Sequence, residues 1–382
     1  MSEEILFTNA NIVTAEAVLH GSVAVRDGVI AAVDDTVSAL PDAIDLAGDY
    51  LIPGLVEVHT DNLEKHFAPR PGVRWPSRAA VLAHDAQVAT AGITTVFDAL
   101  AVGDIRADSA RRRDLEDMAN TLEGAQGDGL LRADHRLHMR CEVSCDTLEE
   151  LIAPFASHAL VGLISVMDHT PGQRQFLDDA QYRTYYKQKW AIDDAELDRF
   201  IARQREVAHR YAGPNRKMAA GIARERAVPL ASHDDATAEH VAEAADLGVS
   251  LAEFPTTPEA ACAAHAQNIQ VIAGAPNLVR GGSHSGNVSA KHLATDGLVD
   301  ILSSDYVPYS LIQAAFLMHL DQDVAMPLPQ AMATVSRNPA RAVGLEDRGE
   351  IAPGLAADLV WLHQTGDLPV VRGVWRRGRR IG

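Results

Sequence analysis

The first chemistry legible in this sequence is a set of imidazoles and carboxylates placed to share a cation. The run Glu57-Val58-His59-Thr60-Asp61 reads as the end of a strand. Residues two apart in an extended chain point the same way, so His59 and Asp61 converge on one point. An imidazole nitrogen beside a carboxylate oxygen suits a borderline divalent ion such as Zn2+. A lone H-x-D tripeptide serves equally as an interior hydrogen bond, so the recurrence is what carries weight. Glu142 follows the β-type run 137–141, Asp168 and His169 follow 164–167, His233-Asp234-Asp235 follows 229–232, and Asp305 follows 301–304. The expected ligands are His59, Asp61, Glu142, His169, His233 and Asp305, holding two divalent ions with Glu142 as a bridge. Zn2+ is favoured, with Mn2+ or Fe2+ as the alternatives. Two neighbouring ions lower the pKa of a water between them. Asp305 would accept that water's proton as the catalytic base. Asp168 and Asp234 are alternatives that orient a neighbouring histidine. Cys141 and Cys145 flank Glu142 and leave open a thiol–carboxylate site, although C-x3-C is a weak zinc spacing and buried structural thiols are the plainer reading.

Basic residues follow the first, fourth and seventh of the β-type runs. Asn62, Lys65, Arg70 and Arg74 lie in the segment 62–76, where three prolines and a glycine predict a loop. Arg280-Gly281-Gly282-Ser283-His284 offers flexible backbone amides beside Arg280, Ser283 and His284, although its spacing is not that of a P-loop. Gln173-Arg174-Gln175 opens a third cluster, continued by Arg183, Lys187 and Lys189. Singly, each cation reads as a solvated surface charge. Together, Asn62, Lys65, Arg70, Arg74, Arg174, Arg280, Ser283 and His284 point to a polyanionic small-molecule substrate. Arg111-Arg112-Arg113 sits among Asp108, Asp114, Glu116 and Asp117 and reads instead as an exposed, salt-bridged helix face.

Positioning these residues requires a frame. Eight apolar β-type runs, at 55–59, 94–99, 137–143, 161–167, 228–232, 250–254, 271–275 and 298–303, alternate with helical stretches such as 78–90, 104–119 and 237–246. That alternation predicts a (β/α)8 TIM barrel, with an open doubly wound sheet as the alternative. A barrel gathers strand ends on one face, which is where its chemistry sits. The two chain ends have a different texture of short strands and turns. The expected division is a discontinuous β-sandwich domain at 1–53 plus 346–382, and a catalytic barrel at 54–345. An insertion at about 170–227, with a helix predicted over 193–211, would shape the barrel rim.

The chain has 382 residues, 47% hydrophobic and 23% charged, the balance of a globular protein with a large core. No apolar run approaches the ~18 residues of a membrane span. The acidic opening Met1-Ser2-Glu3-Glu4 lacks a signal-peptide pattern, and three cysteines make no disulfide framework, so a cytoplasmic location is expected. With 52 acidic against 34 basic residues, the net charge of −18 argues against nucleic acid as a partner. A homo-oligomer stays open.

The motifs resemble the amidohydrolase superfamily across nearly the whole chain. They include Asn9-Ala10-Asn11-Ile12-Val13, Leu51-Ile52-Pro53-Gly54-Leu55-Val56-Glu57-Val58-His59, Asn338-Pro339-Ala340 and Gly349-Glu350-Ile351-Ala352-Pro353-Gly354. Within it, His59-Thr60-Asp61-Asn62-Leu63-Glu64-Lys65-His66, Pro69-Arg70-Pro71-Gly72-Val73-Arg74-Trp75-Pro76, Met167-Asp168-His169-Thr170-Pro171-Gly172-Gln173-Arg174-Gln175 and Arg280-Gly281-Gly282-Ser283-His284-Ser285-Gly286-Asn287 resemble the PhnM-type diphosphatases of phosphonate metabolism. The resemblance implies a metal-dependent hydrolase that cleaves alpha-D-ribose 1-methylphosphonate 5-triphosphate to the 5-phosphate and diphosphate, through attack of a metal-bound hydroxide. H-x-D replaces the superfamily's usual H-x-H, and Glu142 stands in for the bridging carboxylated lysine that is not evident here. An enzyme cleaving a C–N bond, such as a cyclic amidase, deacetylase or deaminase, is the rival reading. A non-catalytic scaffold is the other.

Overall fold

The computed structural model describes residues 4–104, 110–174, 182–183, 187, 193–283 and 286–382. Within these, the ends of the chain form one sheet from β1 (Glu4–Val13), β2 (Val18–Arg26), β3 (Val29–Asp34), β4 (Ile44–Asp45) and β5 (Tyr50–Pro53). The middle of the chain supplies β6 (Leu55–Thr60), β7 (Ile93–Val102), β8 (Asp134–Glu142), β9 (Val161–Met167), β10 (Leu230–His233), β11 (Leu251–Glu253), β12 (Gln270–Gly274) and β13 (Ile301–Ser303). After them, β14 (Leu359–Thr365), β15 (Leu368–Arg376) and β16 (Arg379–Arg380) return to the first sheet.

The terminal sheet runs β16-β15-β14-β5-β1-β2-β3, with β4 beside β1. Most of its pairs are antiparallel, and β1 pairs β4 and β5 in parallel. Two of its hairpins close on residue pairs that both have positive φ, Asp27-Gly28 and Arg377-Gly378. That geometry matches the right-handed twist of the flanking strands. Phe7, Ile12, Val23, Ile30, Leu51, Leu359 and Trp375 pack into one apolar cluster, with the Phe7 and Trp375 rings edge-to-face at 4.9 Å.

The second sheet has the order β6 through β13, with parallel pairing throughout the registers described. A parallel bridge between Thr60 and Asp305 joins its first strand to its last, giving the (β/α)8 barrel expected from the eight runs. Every residue of β6 and β7 is buried, as strands covered on both faces must be.

Two differences from expectation concern the rim. The segment 62–76 is not loop throughout: α1 (Asn62–Phe67) forms before the first proline, and only the remainder is irregular. After α2 (Ser77–Thr90), α3 (Ala110–Gly127) and α4 (Leu148–Ile152), the long helix α5 (Asp194–Glu225) runs 32 residues, well beyond 211 and through Pro214. Its start is capped by Asp193, which accepts from the Glu196 amide. The next helix, α6 (Ala238–Leu247), is capped likewise by Thr237 and ends on left-handed Gly248.

By contact density the chain divides into a unit of Met1–Asp98, Asn120–Arg136 and Ala273–Gly382, and a unit of Ala99–Ala119 and Leu137–Ile272. No described helix is long and apolar enough to cross a membrane.

Gly349 offers a test of the first unit. Its φ is +90°, and a Cβ there would lie 2.9 Å from the Ser336 carbonyl oxygen. Gly349→Ala should destabilise by about 1–3 kcal/mol through backbone strain alone, read as a lowered thermal unfolding midpoint.

Candidate functional site

In the first unit, His59, Asp61 and Asp305 are gathered where β6 meets β13. The Asp305 amide donates to the His59 carbonyl at 3.1 Å, and the Asp61 amide donates to the Asp305 carbonyl at 3.2 Å. Thr60 Oγ1 adds a bond to the Asp305 carbonyl at 2.6 Å. Asp305 takes a positive φ of 49°, a costly conformation for a side chain with a Cβ. His59 is buried, and among the described residues the buried Asp61 Oδ1 has no hydrogen-bond partner. A buried carboxylate oxygen in that condition calls for a cation or a proton donor.

The basic residues of this unit divide. Lys65 donates to the Tyr306 carbonyl at 2.6 Å and lies 5.0 Å from the centre of its ring. Arg70, Arg74 and Arg280 are exposed, and Ser283 is half-buried. Asn62, expected at the substrate, is buried: its amide donates to His84 Nδ1 at 3.1 Å and Gln87 Oε1 at 2.9 Å. His284, Gln175 and Lys189 lie outside the described residues, as do the side chains of Arg111, Arg112 and Arg113.

Behind Asn62 lies a buried network that the sequence reading did not single out. His84 Nε2 contacts Asp98 Oδ1 at 2.6 Å, and His135 Nδ1 contacts Asp98 Oδ2 at 2.7 Å. The other His135 nitrogen faces Asp85 Oδ1 at 3.4 Å. Asp85 also accepts the Arg132 and Ala133 amides and the Arg132 guanidinium. Burial opposes a charged His135, but Asp98 and Asp85 outweigh it and raise its pKa to about 9. Burial likewise opposes ionised Asp98, yet His84 and His135 hold it at about 2. His84, Asp98 and His135 are close enough to hold a metal ion. With a carboxylate at each nitrogen of His135, the trio is paired internally as an ion network.

In the second unit, Glu142 and His169 meet: Oε2 lies 2.5 Å from His169 Nδ1, while Ser144 Oγ donates to Oε1 at 2.5 Å. Burial works against a charged His169, but the Glu142 carboxylate prevails and raises its pKa. The His233 ring is 6.4 Å from that of His169, and His233 Nδ1 lies 2.9 Å from Asp234 Oδ2. Asp168 pairs with Arg216 at 2.7 Å. Asn215 of α5 donates to the Val143 and Cys145 carbonyls, both at 2.8 Å, and pins the turn after Glu142. Arg174 is buried, and its guanidinium is already neutralised by Asp235, and by Glu243 at 3.0 Å. Burial first, then Glu142, push the Cys141 thiol up to about 12, the condition of an inert core cysteine.

Two further buried polar side chains of this unit escaped sequence reasoning. His138 Nε2 lies 2.8 Å from Ser165 Oγ and 3.8 Å from Glu253 Oε2. His138 lies within β8 and Glu253 ends β11, and no neighbouring motif marks either.

Each unit thus presents buried imidazole nitrogens and carboxylate oxygens at strand ends, the donor types that a divalent cation takes. Asp61 Oδ1 in the first unit fits such an ion, and so, in the second, does the close Glu142–His169 pair.

Comparison with known proteins bears on this geometry. A sequence profile described as the amidohydrolase family matches residues 177–381. The chain is 48% identical over 376 residues to the alpha-D-ribose 1-methylphosphonate 5-triphosphate diphosphatase of Escherichia coli (strain K12), covering 98% of this chain and 100% of that protein. Among solved structures, a 5-methylcytosine deaminase from Klebsiella pneumoniae aligns at TM-score 0.67 and 15% identity, over 99% of this chain and 98% of the other. An N-acetylglucosamine-6-phosphate deacetylase from Pasteurella multocida aligns at TM-score 0.63 and 16% identity, over 99% of each chain. These structural likenesses show a shared fold.

The His135 network predicts a pH signature. The folded protein holds the His135 proton more tightly than the unfolded chain, whose ordinary value is 6.5. Its contribution is complete below that value and is lost as pH rises through about 9. Asp98 acts in the opposite sense: its contribution is present above 3.8 and is lost as pH falls through about 2. The gap in unfolding midpoint between the parental protein and a His135→Gln variant should therefore narrow from pH 7 to pH 10. A gap that stays constant would contradict the charged pairing.

Proposed function

The chain belongs to the amidohydrolase family, and on that premise we propose that it hydrolyses alpha-D-ribose 1-methylphosphonate 5-triphosphate to the 5-phosphate and diphosphate. The observation carrying this reading is the 48% identity to the Escherichia coli diphosphatase, sustained over the full length of that protein. The strand-end residues supply machinery suited to it. His59, Asp61, Glu142, His169, His233 and Asp305 would hold the divalent metal, with Zn2+ favoured for a mixed nitrogen and oxygen set. When bound, the metal supplies Lewis-acid polarisation of phosphoryl oxygens and activates water.

The chain's own residues do the remainder. Asp305 accepts the proton of the attacking water as its oxygen bonds to phosphorus and the anhydride bond to the departing diphosphate breaks. The αL backbone of Asp305 is fixed by bonds to His59 and Thr60, so the carboxylate is aimed before substrate arrives. Lys65, Arg70, Arg74, Arg280, Ser283 and His284 supply donors to the triphosphate. Charge stabilisation at the equatorial phosphoryl oxygens is the main demand of this chemistry. Arg174, committed to Asp235 and Glu243, holds its carboxylate partners in place. The substrate is a polyanionic small molecule, and this reading requires no second chain.

Product analysis by phosphorus NMR with the ribose triphosphate tests the proposal: diphosphate and the 5-phosphate should appear in equal amounts. Chelation should abolish turnover, and added Zn2+ or Mn2+ should restore it. Asp305→Asn should bind substrate yet lower kcat roughly 100-fold or more. Release of inorganic phosphate in place of diphosphate, or no turnover by the metal-replete protein, would overturn the reading.

A further inference from the structure

Glu57 is fully buried two residues before His59 and has no part in the chemistry above. Its carboxyl group is nevertheless engaged on both sides. Oε1 accepts the His59 amide at 2.7 Å and lies 2.8 Å from Ser303 Oγ. Oε2 accepts the Ser304 amide at 2.6 Å. Ser303 Oγ in turn donates to the His59 carbonyl at 2.5 Å and lies 3.3 Å from the Asp305 amide. One side chain thus ties the backbone of a candidate metal ligand on β6 to the two residues that precede Asp305 on the other strand of the seam.

The residue it serves is strained. Asp305 holds φ at 49°, and a non-glycine residue keeps such a conformation only where its surroundings over-determine it. The bonds through Ser303, Ser304, His59 and Thr60 provide that over-determination.

We propose that Glu57, acting through Ser303 and Ser304, is a positioning residue that sets the aim of Asp305 and the seat of His59. The inference rests on the metal-dependent diphosphatase reading. A carboxyl group is specifically required. Each of its oxygens meets a backbone N–H, so an amide in its place must turn its own NH2 toward a backbone donor in either orientation. A buried donor–donor contact of that kind pushes the two strands apart.

The test uses the full-length, metal-replete protein and the variants Glu57→Gln and Ser303→Ala, studied well below their unfolding temperatures. Two properties are read: steady-state kinetics on the ribose triphosphate, and the visible absorption of the Co2+-loaded proteins. A residue that only stabilises the core would lower the unfolding midpoint and leave both unchanged in the folded protein. Glu57→Gln should lower kcat roughly 10–100-fold, the size of effect expected from misplacing a reacting group, with KM little altered and the cobalt bands shifted. Ser303→Ala should show the same changes to a smaller degree. Parental kcat and parental cobalt bands in a folded Glu57→Gln would overturn the proposal. If that variant does not fold, Ser303→Ala decides by the same two readouts. Absence of turnover by the parental protein would count against the diphosphatase reading alone, and the cobalt bands of the variants would still decide the role of Glu57. A parental protein that binds no cobalt would remove both.

Discussion

The backbone pairing of Thr60 with Asp305 is the constraint on which the remainder depends. It joins the first and last strands of the parallel sheet and completes the barrel. It also fixes where three candidate site residues stand, because His59 and Asp61 flank one partner and Asp305 is the other. Buried backbone amides and carbonyls need partners, and at this seam side chains supply both acceptors and donors. Thr60 Oγ1, Ser303 Oγ and Glu57 fill that role. The same bonds that close the fold hold Asp305 in its left-handed conformation. Structural closure and preorganisation of the site are therefore one set of interactions.

Burying so many polar groups is costly unless each finds a partner. The first unit answers with a file of groups behind Asn62: His84, Asp98, His135 and Asp85, ending on the partly exposed Arg132. The second answers with Arg174 and Arg216, which share Glu243 and neutralise Asp235 and Asp168. Charge that would otherwise stand unpaired in a low dielectric is set against opposite charge, Asp98 and Asp85 against His135 and Arg132, and Asp235, Asp168 and Glu243 against Arg174 and Arg216. In both cases the pairs immobilise segments next to candidate ligands. One holds α1 just after Asp61, and the other holds the strand-end turns around His169 and His233.

The barrel was legible because buried parallel strands read as continuous apolar runs, and the eight runs fall on the eight strands of the sheet. The strand-end carboxylates and imidazoles were legible for the same reason, since they interrupt those runs at corresponding places. Helix α1 was not, because the prolines after it dominate the composition of 62–76, although none falls inside 62–67. The continuation of α5 through Pro214 was hidden by the Gly213-Pro214 pair, whose local preference is overridden by packing and by the Asn215 anchor. Networks such as His84–Asp98–His135 leave no sequence signature. Their members are 14 and 37 residues apart, so no local spacing links them. Glu57 was visible as a letter in the motif before His59, but its role depends on a strand nearly 250 residues away.

We propose that the strand-end imidazoles and carboxylates seat a catalytic divalent ion. Anomalous diffraction from crystals of the Zn2+-loaded protein, recorded on both sides of the zinc edge, tests it most directly. The expected result is an anomalous peak bonded to side chains among His59, Asp61, Glu142, His169, His233 and Asp305, at the ~2.0–2.2 Å of zinc–nitrogen and zinc–oxygen bonds. A fully loaded crystal with its peak between His84, Asp98 and His135, and none on those six residues, would contradict it.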